Sequence, residues 1–189
     1  MLETVIVIAI VLVLIVWGIA IYNRLVRQRA LVREGFSGIT VQLRRRADLV
    51  PNLVSTVEGY AAHEKAVLTE VTAHRADATT ASGVAATAQA DNAFTGMLGR
   101  LMAVAEAYPD LKADANFRQL QSQLSEIEEQ LQGARRYYNA TVRDLNTSIQ
   151  SFPNVLFARP LGFGEAEFYA DADASIQQAP QVRFGAAGA

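Results

Sequence analysis

The sequence has no cysteine, only two histidines and a single tryptophan among 189 residues. Without cysteine there is no thiol nucleophile, no thiolate metal ligand and no disulfide framework. That absence does not choose between the two sides of a membrane. There is also no Gly-x-Ser-x-Gly elbow and no glycine loop to cradle phosphate. His63–Glu64 is followed by Lys65, Ala66 and Val67, so the metalloprotease His-Glu-x-x-His is missing. Carboxylate metal sites in helical bundles draw a Glu from two helices and a Glu-x-x-His from two others. Here Glu70 and His74, at i and i+4, are the nearest approach to such a pair. His63 and His74 would lie roughly 16 Å apart along a helix, too far to share an ion. The expectation is therefore a chain with no catalytic, metal-binding or cofactor-binding residues, and not an enzyme.

Charge is also missing from one long stretch. Between Glu3 and Arg24 there is none, and thirteen of the 18 residues from Val5 to Tyr22 are Val, Ile or Leu. An uncharged run of this length makes about 30 Å of helix, the thickness of a bilayer's hydrocarbon core. A cleaved signal peptide would place basic residues ahead of the run and a small-residue cleavage site after it. Here the basic residues Arg24, Arg27, Arg29 and Arg33 follow it. The pattern predicts a retained single-pass anchor over residues 1–23. By the positive-inside rule the N-terminus faces out and the remainder faces the cytoplasm, with the reverse topology as the competing reading. Arg24, Arg27 and Arg29 would then stand within about 10 Å of the headgroups, each adding roughly 1 kcal/mol of attraction to anionic lipid.

The charge that is present is segregated. Through Arg46 there are seven basic and two acidic residues, and from Ala47 onward 10 basic and 17 acidic. A basic stalk and an acidic body argue against nucleic acid as a partner, because the body has no basic face.

Beyond the anchor, apolar residues recur at Leu25, Val32, Phe36, Ile39, Leu43, Ala47, Val50, Val54 and Val57, and on through Ala61, Leu68 and Val71. Spacings of three and four predict a helix rather than a strand. The phase runs across Pro51, so one long helix bent at that proline is expected. Residues 78–91 read as a loop of small residues and 92–107 as a second helix stopping before Pro109. A third helix, capped by Asp114 or Asn116, runs from Phe117 to Phe152 and ends at Pro153. The predicted fold is all-α, an elongated antiparallel bundle of three to four helices over residues 24–169. The segment containing Leu161, Phe163 and Phe168 should fold back over one end, and residues 170–189 should be a flexible tail.

Arg44, Arg45 and Arg46 lie about 30 Å from the membrane, several Debye lengths away. They are expected on the outer arc of the turn before the bend. Their expected partner is an acidic surface, either Glu126, Glu128 and Glu129 of the same or a neighbouring subunit, or another protein, with a charge run facing solvent as the competing reading.

Four stretches together resemble the LemA family: "YNRLV", "VQLRRRADLVPNLVSTVEGYAAHE", "EAYPDLKADANFRQLQSQLSEIE" and "ARRYYNATVRDLNTSIQSFP". The chain departs from the family pattern at Phe36 and Ile39–Thr40, where Trp and Ile-Asp are usual. It departs again at Ala73–His74–Arg75, where an Ala-Arg pair is usual. The resemblance implies a single N-terminal anchor in the bacterial inner membrane, a cytoplasmic helical bundle and no enzymatic activity. It also implies association with HtpX-type membrane metalloproteases and, in a distant branch, with the building of magnetosome membranes. The function expected is that of a self-associating scaffold on the lipid bilayer, with a protease adaptor or a membrane-shaping protein as alternatives.

Overall fold

A computed structural model of the chain describes residues 1–170. The 170–189 tail expected from the sequence lies outside the described residues, apart from exposed Ala170. The described fold is all-α, as expected. Its elements are α1 (Leu2–Glu58), α2 (Lys65–Thr80), α3 (Val84–Glu106), α4 (Pro109–Ala113), α5 (Ala115–Gln150) and α6 (Asn154–Phe157).

The frame is the antiparallel pair α1 and α5. Gln28 Nε2 donates to Ser148 Oγ at 2.8 Å, Arg46 Nη1 to Glu128 Oε2 at 2.9 Å, and the Tyr60 hydroxyl to Asp114 Oδ2 at 3.2 Å. The two residue numbers in each pair add to nearly the same total, so one register holds along the whole overlap. Close approach needs a small residue, which Gly35 supplies: a Cβ there would stand 3.1 Å from the Tyr138 Cα. The α5 N-terminus is capped as expected, the Phe117 N–H donating to Asp114 Oδ1 at 2.9 Å.

The single helix expected through Val71 is instead two. α1 stops at Glu58, where the N–H groups of Tyr60 and Ala61 both donate to the Val57 carbonyl at 3.0 and 2.8 Å. Gly59 weakens the helix there. The chain then turns back, and α2 runs antiparallel to α1. The apolar phase survives because Ala61, Leu68 and Val71 pack into the same core as Val50 and Val57.

This return explains how α1 tolerates Pro51. The helix continues through the proline, which has no N–H to offer the Ala47 carbonyl. Arg75 Nε of α2 donates to that oxygen at 2.7 Å in its place.

The expected loop over residues 78–91 is corrected as well. Only Ala81–Gly83 interrupt the helices, with Gly83 at φ +84°, a conformation that favours glycine. α3 starts eight residues before the predicted Asn92, because Thr87, Ala88 and Asp91 form a buried face.

Two apolar cores result. The distal one joins the ends of α1 and α5 to α2, α3 and α4 around Val50, Leu53, Phe94, Leu101 and Phe117. The proximal one joins α1 and α5 to the last described residues around Leu25, Ile39, Leu131, Val142 and Phe163. Between them lies a layer of buried charge.

Candidate functional site

That layer is built from four elements around Asp91, which is 0 % exposed. Arg46 from α1 bonds one Asp91 carboxylate oxygen through Nη2. Arg135 from α5 bonds the other, which also accepts from the Tyr169 hydroxyl at 2.8 Å. The second terminal nitrogen of Arg46 donates to Thr95 Oγ1 at 3.0 Å and to Glu128 Oε2 at 2.9 Å. Both guanidiniums lie over aromatic rings, Arg46 at 5.1 Å from the Phe94 centroid and Arg135 at 5.5 Å from that of Tyr169. The two cations and the two carboxylates balance, which is what permits charges at this depth.

The electrostatics fix the protons in place. Burial and then the neighbouring Asp91 charge push the Tyr169 phenol far above its ordinary range. Burial disfavours the Arg135 cation, but Asp91 outweighs it and the pKa is raised. Tyr169 and Arg135 therefore hold their protons at neutral pH, and with bonds from three other parts of the chain converging on Asp91 the node acts as a clasp between elements.

Tyr169 is delivered by a strap running back along α5. Gly162, at φ +79°, makes the turn. Asn146 then grips Ala166 from both sides, donating to its carbonyl at 2.9 Å and accepting its N–H at 2.8 Å. Two helical turns away Asn139 grips Tyr169 in the same way, at 3.1 and 2.9 Å. The Tyr138 hydroxyl donates to the Glu167 carbonyl between them at 2.7 Å. Side-chain amides thus serve the strap's backbone, as a neighbouring strand would in a sheet.

The expected arginine and glutamate surfaces are divided among different places. Arg46 is 2 % exposed and belongs to the interior, a correction to its expected place on the outer arc. Glu128 meets it within the same chain. Arg45 is exposed and donates to Gln130 Oε1 at 3.4 Å, and Gln130 in turn donates to Glu126 Oε1 at 3.1 Å. Arg44 is exposed on another side of α1, near Ala78 and Thr79, and Glu129 is exposed on α5. Arg24, Arg27 and Arg29 are exposed just beyond the apolar run, with the Arg29 guanidinium 4.8 Å above the Phe163 ring. Sequence reasoning missed Asp91, Arg135, Tyr169, Asn139, Asn146 and Arg75. One signal was available: Arg46 is three residues after Leu43 and four before Val50, in the seam itself.

Among the described residues, α1 is the one helix long and apolar enough to cross a membrane. The first 20 residues are exposed throughout, and the same helix continues without interruption into the bundle. These features define a class: an all-α protein whose apolar N-terminal helix, long enough to cross a membrane, runs on into a body clasped by an internal ion-pair node. The LemA family model matches residues 35–184, and the chain belongs to the LemA family. It is 26 % identical over 174 residues to magnetosome protein MamQ 2 of Paramagnetospirillum magneticum, covering 78 % of this chain and 64 % of that one. The MamQ of Magnetospirillum gryphiswaldense is 24 % identical over the same shares. Protein LemA of Metamycoplasma hominis is 27 % identical over 135 residues, 69 % of this chain and 60 % of that protein. The chain therefore spans less than two thirds of the length of these relatives.

Proposed function

We propose that this protein is a non-enzymatic scaffold, anchored by residues 1–23 in the bacterial inner membrane and self-associating at its cytoplasmic face through the bundle of residues 24–169. The observation that carries the reading is the continuity of α1 from Leu2 to Glu58. A body joined to its anchor by one helix, rather than a linker, is held at a fixed angle and height above the bilayer. Such a body suits ordered assembly, because its side faces are presented at one height and tilt to every neighbour. The deeply buried charges are engaged in the clasp. Arg44, Glu126 and Glu129 are exposed on those side faces and supply charges for contacts between copies. Arg24, Arg27 and Arg29 face the inner-leaflet headgroups, the orientation favoured by the positive-inside rule. Similarity to proteins named for the magnetosome is in keeping with an assembly role at a membrane.

The test is the mass of the full-length protein released with its surrounding lipid, with all bound proteins identified. A homogeneous multiple of the chain supports the scaffold. A single copy bound to a membrane protease contradicts it and makes the chain an adaptor for that protease.

A further inference from the structure

The bundle does not stop where the apolar run begins. α6 and its flanks project beyond the end of α5, alongside the membrane portion of α1. The Phe157 ring meets Trp17 edge-on at 6.4 Å between centroids. Phe157 and Leu161 together with Leu14, Gly18 and Ile21 line one apolar trough against α1. Trp17 precedes Arg24 by seven residues, which is about 10 Å of helix. If the uncharged run occupies hydrocarbon, Phe157 stands at that depth too.

The segment has the composition such a position demands. Phe152 is 80 % exposed and Leu156 59 %, beside exposed Val155, and none of them has an apolar core to enter. Between Ser151 and Gly162 the only charged residue is Arg159, long enough to carry its guanidinium back to the headgroups. The backbone meets much of the other requirement of an apolar medium. The N–H groups of Val155, Leu156, Ala158, Leu161, Gly162 and Phe163 all donate to carbonyls between Ser151 and Arg159. Pro153 and Pro160 have no N–H to satisfy.

We propose that residues 152–161 are a second, non-spanning membrane contact, an apolar knuckle sunk among the acyl chains of the leaflet from which the bundle emerges. Phe152, Val155 and Leu156 enter the lipid, and Arg159 reaches its phosphates. A depth of about 10 Å is that of interfacial amphipathic segments. With α1 as the first attachment, the knuckle fixes rotation of the bundle about the α1 axis, which a single helix leaves free. The occupant is lipid because the exposed apolar side chains continue directly from the bilayer-facing surface of α1. The proposal rests on the reading of α1 as a membrane anchor, and the experiment separates the two.

The 189-residue chain has no cysteine, so single-cysteine variants carry one label each. Leu156→Cys and Phe152→Cys probe the knuckle, Val13→Cys the anchor and Ser125→Cys the exposed bundle. Each is labelled with an environment-sensitive fluorophore and reconstituted in phosphatidylcholine–phosphatidylglycerol vesicles. Lipids brominated on the acyl chain should quench the labels at 156, 152 and 13 several-fold more than the label at 125, with iodide in the buffer showing the reverse order. Knuckle labels quenched by iodide like Ser125→Cys, while Val13→Cys is quenched by lipid, would overturn the knuckle alone. Knuckle labels shielded from both quenchers would also overturn it, since protein rather than lipid would then cover the segment. A Val13→Cys label quenched by iodide and not by lipid would overturn the anchor and the knuckle together.

Discussion

At the scale of residues, Asp91 decides most. It holds Arg46, Arg135 and Tyr169 from three different parts of the chain. Replacing Asp91 with Asn keeps the shape and removes the charge that compensates two buried guanidiniums. Breaking a buried ion pair from one side costs roughly 3–5 kcal/mol, so D91N should melt far below the wild type when followed by circular dichroism. The two-sided replacement of charge by apolar volume, Arg46→Met with Asp91→Leu and Arg135→Met, should recover part of that loss. The node also fixes a pH response. Tyr169 keeps its proton in the folded state beyond the ordinary phenol value, while an unfolded tyrosine loses it near pH 10. Above about pH 10 the unfolded chain therefore binds fewer protons than the native one, and stability falls as pH rises. Tyr169→Phe should flatten that alkaline decline in a series of melts between pH 8 and 11, whatever it does to stability at neutral pH.

At the scale of elements, Pro51 and Arg75 behave as one device. Arg75→Ala leaves the Ala47 carbonyl without its donor, and an orphaned buried polar group costs roughly 1–3 kcal/mol. In a Pro51→Ala background residue 51 regains an N–H for that carbonyl, so the same Arg75→Ala change should cost markedly less. Equal losses in the two backgrounds, measured by denaturation in a double-mutant cycle, would contradict the pairing. This device was half legible in the sequence. The unbroken apolar phase across Pro51 indicated that the helix continued, but nothing indicated that α2 would return to serve it. The three-four repeat from Phe117 to Ile149 made α5 readable almost whole, with Asp114 and Pro153 marking its ends. The turn at Gly59–Glu64 was hidden because Ala61, Leu68 and Val71 keep the phase of the helix before it. The first turns of α3 were hidden for the opposite reason: their inner face is Thr87, Ala88 and Asp91, small or charged residues that resemble a loop. The same rule that places charge on the surface concealed the node, since a buried arginine and its aspartate are recognised only once they meet.

At the scale of the whole molecule, an apolar run long enough to cross a membrane and a bundle share one helix. The proximal core begins at Leu25, immediately after the uncharged run, and partly buried Ile21 packs against it. Packing therefore reaches the apolar run without a gap, and the end of that run is braced by α5 and by the Tyr22–Phe163 ring pair at 5.6 Å. A protein built this way transmits the orientation of its anchor to its body, the property that the proposed assembly uses. The most direct test is hydrogen exchange of the full-length protein in lipid nanodiscs, read over the amides of residues 20–32. Continuous protection across the membrane exit, comparable with that of residues 33–43 inside the bundle, is the predicted result. Fast exchange confined to residues 22–28 would mean a flexible stalk and would contradict the rigid coupling of membrane and bundle.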